Sequence, residues 1–170
     1  MEIKTIGVIG AGQMGNGIAH VCALAGYDVR LLDVSQEQLD RATETIGHNL
    51  DRQVRRNMIS EDDKAAALGR ITTGLDYKIF GDCDVVIEAA TENEEIKRSI
   101  LKSLVPHLKA DALVATNTSS LSITRLAAVT DRPERFIGMH FMLPVPVMKL
   151  VEVIRGLATD EETFTTIKDC

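Results

Sequence analysis

Cysteine is scarce in this chain. Cys22, Cys83 and Cys170 are an odd number with no CxxC spacing, which supports neither a disulfide framework nor a zinc site, and no metal is expected. No apolar run reaches about 18 residues, so no membrane-spanning helix is expected. The N-terminus carries no signal-peptide pattern, and a reducing cytoplasm is the simplest expectation. Positive charge is in deficit, with 19 Lys and Arg against 25 Asp and Glu and a net charge of −6. That balance argues against a nucleic-acid partner or an acidic membrane surface. Tryptophan is absent, and no repeat, low-complexity segment or long linker divides the 170 residues. What remains is 45% hydrophobic and 26% charged, the make-up of one globular domain able to bury a core without staples.

Short apolar runs alternate with helical patterns along this domain. Lys4–Gly10 ("KTIGVIG") is β-branched, continuous and ended by glycine, which reads as a buried parallel strand. Gln13–Gly26 then shows helical spacing through Met14, Ile18, Val21, Cys22 and Ala25. Asp28–Asp33 is a second strand, and Ser35 caps a long charged helix running to about Asn57. Ser60 opens a short helix with acidic residues in its first turn. "RITTG" and "DVVIEA" are strands separated by the turn-prone "LDYKIFGDC". Asn93 caps a helix over Glu94–Leu108, "ALVATN" is a strand, Ser122 caps a short helix, and "RFIGMHF" and "MKLVEVI" complete the strands. This alternation predicts an α/β fold: a Rossmann-like, doubly wound, mostly parallel sheet with helices on both faces.

The first strand–helix turn carries the first chemistry. Gly10-Ala11-Gly12-Gln13-Met14-Gly15 matches GxGxxG in the context that gives the pattern a mechanism. Gly10 permits the tight turn, Gly12 lets the backbone approach a pyrophosphate, and Gly15 lets helix and strand pack closely. The helix N-terminus offers free N–H groups to the anion. Asp33 ends the second strand, 23 residues after Gly10, where a carboxylate accepts both ribose hydroxyls. The same charge repels a 2′-phosphate, and Val34-Ser35-Gln36 holds no arginine to receive one, so NAD is the expected cofactor rather than NADP.

"GMHFMLPVPVMKLVE", Gly138 to Glu152, is unusual in a different way. It places one imidazole in an apolar run and a carboxylate twelve positions later. A lone histidine in such company is usually a hydrogen-bonded core residue. Leu143 and Val145 precede prolines and are pushed towards extended conformations. The chain therefore leaves one strand near His140, turns through Pro-Val-Pro and re-enters another with Glu152 alongside.

Four segments in this order, "GVIGAGQMGNGIA", "VVIEAATEN", "TNTSSLSIT" and "GMHF.LPVPVMKLVEV", resemble the N-terminal domain of the L-3-hydroxyacyl-CoA dehydrogenase family, close to its bacterial 3-hydroxybutyryl-CoA branch. The resemblance covers essentially the whole chain. It implies a dimeric NAD enzyme of fatty-acid and butyrate metabolism acting on an acyl-CoA, with a helical domain that follows this one and supplies the dimer contact. By that resemblance His140 is the catalytic base, Glu152 its carboxylate partner, and Ser119 the hydroxyl meeting the substrate 3-oxygen near the nicotinamide. Asn117 shares its loop, and Glu92 and Lys97 fall near the nicotinamide ribose; without the resemblance both read as a solvated helix start. Asn49 and Arg56 match contacts to coenzyme A, and Arg52 and Arg55 flank them, although a charged helix face is usually only solvated. Where the family has asparagine, this chain has Leu143, which offers no hydrogen bond. The helical domain is not encoded in these residues, so low turnover and self-association through uncovered apolar surface are expected.

Three readings stay open: an NAD-dependent L-3-hydroxyacyl-CoA dehydrogenase, an NAD-binding module without turnover, and another hydroxy-acid dehydrogenase on the same fold. The last lacks the CoA-side match, and β-hydroxyacid enzymes use a lysine base. All three require Asp33. Replacing Asp33 by Ala is expected to weaken NADH binding severalfold or more, since a charge-assisted hydrogen bond contributes roughly 1.5–3 kcal/mol. NADH fluorescence, free of tryptophan background, measures the difference; equal affinities remove Asp33 from the site.

Overall fold

The computed structural model describes every residue except Pro144 and residues 147–149. Strands β1 (Thr5–Ile9), β2 (Asp28–Leu32), β3 (Ile71–Gly74), β4 (Val85–Glu88), β5 (Leu113–Thr116), β6 (Phe136–Phe141) and β7 (Val151–Arg155) form one sheet in the order β3-β2-β1-β4-β5-β6-β7. The first six are parallel, and β7 closes the edge antiparallel to β6. Helices α1 (Gln13–Leu24), α2 (Gln36–Arg55), α3 (Glu61–Gly69), α4 (Glu94–Leu104), α5 (Ile123–Ala127) and α6 (Glu161–Lys168) connect or follow the strands. The fold is the expected doubly wound sheet. No described helix is long and apolar enough to cross a membrane.

Both faces of the central strands are covered, which is why β1, β4 and β5 read as unbroken apolar runs. One core packs Ile6, Val8, Leu31 and Ile87 against Ile18, Leu39 and Ile46 of α1 and α2. The other packs Ile9, Val86 and Val114 against Leu101, Leu104 and Leu126 of α4 and α5. Cys22 is the small buried hydrophobe its spacing suggests, and burial pushes its thiol up to about 12. Phe80 was hidden in the turn-prone stretch: a 3₁₀ turn over Tyr77–Phe80, capped by Asp76, drives its ring against Gly7, where a Cβ would stand 2.6 Å away.

The expected caps are in place. Ser35, Asn93 and Ser122 accept from Gln38, Ile96 and Arg125 N–H, and Ser60 forms a full capping box with Asp63. Two helices end earlier than their patterns suggest. α2 stops at Arg55 because Asn57 takes a left-handed φ of 58° and its N–H donates to the Val54 carbonyl, while Met58 N–H donates to Gln53. α4 stops at Leu104 because Pro106 has no N–H to continue it, leaving a 3₁₀ turn over Val105–His107. The strand expected over "MKLVEVI" begins at Val151; Met148 and Lys149 lie outside the described residues.

Backbone proximity at the β1–α1 turn explains two of its glycines. Gly10 has φ +102°, and a Cβ on Gly15 would lie 1.5 Å from the Gly10 carbonyl oxygen. A Cβ on Gly12 would meet nothing within 4 Å. Farther along α1, a Cβ on Gly17 would stand 2.7 Å from Val145 Cβ, so Val145 rests directly on this helix. Gly15→Ala is therefore expected to destabilise the fold outright, whereas Gly12→Ala should keep its thermal midpoint yet lose NADH affinity. Thermal melts and NADH titration of both variants check this; Gly12→Ala binding as the parent does would mean no anion sits on the turn.

At the opposite, amino-terminal end of the central strands, Asp84 organises the start of the sheet. Its Oδ2 accepts from the Lys4 and Thr5 amides at 2.7 and 3.0 Å, and its Oδ1 accepts from Lys109 Nζ at 2.5 Å. Burial alone would raise its pKa, but the Lys109 ammonium and the two amides outweigh burial and hold the carboxyl below the usual range. A depressed folded pKa contributes stability that is present above the unfolded value of about 4 and is lost as pH falls through the folded one. Asp84→Asn should lower unfolding free energy at neutral pH by about 1–3 kcal/mol and flatten its decline below pH of about 4. Denaturant melts from neutral to acid pH test this; parallel curves for the two proteins would exclude it.

Candidate active site

The strand order reverses between β1 and β4, and the open space lies at the carboxyl ends of these strands. Helix α1 starts there with Gly12 as N-cap and no side-chain cap, leaving its first-turn N–H groups to an anion. Gly10 N–H donates to Leu32 O at 2.8 Å, which clamps the turn to the end of β2. Asp33 is the next residue after Leu32. Its Oδ2 accepts from Ala11 N–H at 2.9 Å and its Oδ1 from Ser35 N–H at 3.3 Å, so the carboxylate is braced against the glycine turn. A cavity of about 220 Å³ sits over the turn, lined by Gly12, Gln13 and Met14, by residues 89–92 after β4, and by Asn117. The bare Cβ position of Gly12, the uncapped helix and the braced carboxylate together fit a dinucleotide: phosphates at the turn, ribose at Asp33.

A second cavity, of about 230 Å³, lies beside the first and is lined by Met14, Glu92, Asn117, Ser119, His140 and residues 141–143. Met14, Glu92 and Asn117 line both cavities, so the two form one continuous cleft. The β6–β7 ladder pairs His140 directly with Glu152. His140 Nδ1 and Glu152 Oε2 are 3.7 Å apart, within ion-pair range but longer than a hydrogen bond. The His140 side chain is 25% exposed and that of Glu152 53%, so the imidazole opens to the cleft while its partner stands in water. Ser119 is exposed at the same mouth. Glu92 is also exposed, its Oε2 accepting from Thr118 Oγ1 at 3.0 Å and Ser120 Oγ at 3.4 Å. Leu143, 48% exposed, adds an apolar surface next to His140.

Lys97 behaves unlike a solvated helix start. It is fully buried, on the stripe of α4 shared with Leu101 and Leu104. Its Nζ donates to Glu88 Oε1 at 2.5 Å, to Asn117 O at 2.9 Å and to Thr116 Oγ1 at 3.2 Å, which uses all three N–H bonds of the ammonium. Thr116 Oγ1 donates to Glu88 Oε1 at 2.7 Å, and Glu88 Oε2 accepts from Ala90 N–H at 2.8 Å. The cluster is closed and carries no net charge. Removing either charged partner from such a pair typically costs about 3–5 kcal/mol. Sequence reading missed Glu88 and Thr116. The available signals were a carboxylate at the end of an apolar strand and a lysine in register with Leu101 and Leu104.

Asn117 is the hub between this cluster and the cleft. Its N–H donates to Glu88 O at 2.8 Å, its carbonyl accepts from Lys97, and its Oδ1 accepts from Phe141 N–H at 3.0 Å. Asn49 and Arg56 are not among the residues lining the cleft. They lie towards the far end of α2, a helix of 20 residues that starts beside Asp33 and extends about 30 Å. Arg56 and its neighbours Arg52 and Arg55 are exposed there.

Known proteins match the chain along nearly its whole length. The family model for the 3-hydroxyacyl-CoA dehydrogenase NAD-binding domain matches residues 5–170. A 3-hydroxybutyryl-CoA dehydrogenase of Bradyrhizobium diazoefficiens is 59% identical over 167 residues, which are 98% of this chain and 57% of that protein. One from Clostridioides difficile is 42% identical over 162 residues, covering 95% of this chain and 58% of the relative. The crystal structure of (S)-3-hydroxybutyryl-CoA dehydrogenase from Ralstonia eutropha superposes with a TM-score of 0.97 at 47% identity, over 99% of this chain and 59% of that one. The chain thus spans less than three-fifths of the length of these relatives. It belongs to the family of 3-hydroxyacyl-CoA dehydrogenase NAD-binding domains.

Proposed function

We propose that this chain binds NAD(H) and that the protein built on it interconverts L-3-hydroxyacyl-CoA and 3-oxoacyl-CoA, with short chains such as 3-hydroxybutyryl-CoA and acetoacetyl-CoA as substrates. The observation that carries this reading is the continuity of the cleft: the same Met14, Glu92 and Asn117 line both the dinucleotide end and the His140 end. NAD supplies the hydride acceptor. The remaining chemistry is proton transfer, and the partial exposure of His140 at the cleft supports giving it that role. As the general base, its imidazole removes the 3-hydroxyl proton and returns it in the reverse direction. Glu152, across the ladder from His140, favours the imidazolium as it forms and orients the ring through Nδ1. Because Glu152 is half exposed, its pull before substrate arrives is that of a surface ion pair, at most about 1 kcal/mol. Exclusion of water by the acyl-CoA strengthens it. The Ser119 hydroxyl, at the same mouth, is offered to the 3-oxygen. The exposed arginines of α2, with Asn49, form the candidate contact for coenzyme A. The family resemblance supports a homodimer, and the scarcity of cysteine supports a reducing cytoplasm.

Turnover is tested with acetoacetyl-CoA and NADH, on this chain and on a protein of the relatives' full length. His140→Ala in the longer protein should cut turnover by about 10²–10⁴-fold while leaving NADH affinity nearly unchanged. Glu152→Gln should do milder damage. The 170-residue chain alone, with an open cleft and Leu143 at its mouth, should be nearly inactive, and Leu143→Asn alone should not rescue it. Near-normal turnover in His140→Ala returns that histidine to the core. Tight NADH binding with no turnover at either length favours the alternative of a non-catalytic NAD-binding module.

A further inference from the structure

We propose that Leu143 sets the redox preference of the cleft, so that NADH is retained in preference to NAD⁺ and the site favours reduction of a 3-oxoacyl group. The inference rests on the reading of the two cavities as one dinucleotide cleft with His140 as the proton-transfer group. In that reading the phosphates sit on the glycine turn, and the dinucleotide continues past Met14, which lines both cavities. Its nicotinamide then enters the cavity of about 230 Å³ that holds His140, because hydride is exchanged with the carbon whose oxygen His140 serves. The two redox states present different chemistry there. NAD⁺ carries a pyridinium cation; uptake of hydride, a proton with two electrons, leaves an uncharged dihydropyridine. Apolar surface against the ring penalises the cation and not the neutral form.

Met14, Phe141, Met142 and Leu143 supply that surface, and Leu143 is 48% exposed, so it has side-chain area for a ring to cover. Asparagine, the family's residue at this position, would offer an amide oxygen to the cation, and leucine offers none. Asn117 is a poor substitute. Its Oδ1 accepts from Phe141 N–H at 3.0 Å, and its carbonyl oxygen accepts from Lys97 Nζ at 2.9 Å. Glu92 acts in the opposite sense, favouring the cation. Its carboxylate is exposed, however, and Oε2 already accepts from Thr118 and Ser120, so water and two hydroxyls weaken its pull.

The test compares the 170-residue chain with its Leu143→Asn and Leu143→Met variants. Each is titrated with NADH, followed by its fluorescence, and with NAD⁺, followed by displacement of NADH. The readout is the ratio of the two affinities, which a uniform gain or loss of binding does not move. The parent should bind NADH several-fold more tightly than NAD⁺. Leu143→Asn should shrink that ratio about three- to tenfold, the size of one modest hydrogen-bond-scale interaction. It should also shift the emission of bound NADH to longer wavelength, as a more polar wall does. Leu143→Met, which keeps an apolar wall, should leave ratio and emission at their parent values. Two outcomes overturn this inference alone: a parent that binds NAD⁺ as tightly as NADH, or a ratio that is the same in the parent and Leu143→Asn. Failure of the parent to bind NADH at all overturns the dinucleotide reading and this inference with it. Turnover of acetoacetyl-CoA enters none of these measurements, so a failure of the dehydrogenase reading shows separately.

Discussion

An ammonium and a carboxylate sealed from water beneath the carboxyl ends of β4 and β5 are what the cleft stands on. Burial of either charge alone would be prohibitive, so Glu88 and Lys97 must arrive together, and Thr116 must turn its hydroxyl to serve both. That requirement fixes the height of α4 on the sheet face and the course of the chain immediately after two strands. Parallel strands leave their carboxyl ends bare, and here an ionic knot replaces the apolar packing that secures the sheet elsewhere. The arrangement is specific where hydrophobic contact would be permissive: an apolar pair of similar volume would fill the space without dictating where Asn117 sits.

The fold was legible because each segment states its geometry locally. β-branched runs ended by glycine, helical spacing, and caps at Ser35, Ser60, Asn93 and Ser122 all point the same way. Departures occur where one residue overrides a periodic pattern, as Asn57 and Pro106 do at the ends of α2 and α4. The antiparallel β7 follows from a return over the nine residues 142–150, too few for a helical crossover.

The site was legible only in part. The glycine turn and Asp33 carry their mechanism in their spacing, and His140 with Glu152 could be paired by counting through one turn. The rule that a lone histidine among apolar residues belongs to the core holds for another histidine in this chain. His20 on α1 is fully buried, with Nε2 2.8 Å from Gln53 Oε1 and Nδ1 without a partner among the described residues. Burial lowers its pKa, against the opposing pull of Gln53. Nothing in the local pattern separates His20 from His140; what differs is that one faces α2 and the other a cleft. The roles of Glu88, Thr116 and Asn117 were not legible because they depend on which strand ends meet. Such meetings are set by sheet order, and sheet order is not written in any single segment.

Asp33 has a consequence for anyone who would exchange the cofactor preference of this domain. Its carboxylate would repel a 2′-phosphate bound beside it and is also the acceptor that holds the Ala11 amide at 2.9 Å. Those two duties are inseparable in one side chain. A redesign towards NADP that simply removes the acceptor would free the Ala11 N–H and slacken the glycine turn. A serviceable redesign would keep a short acceptor there, asparagine for instance, and bring the cation in from the exposed Val34 next door.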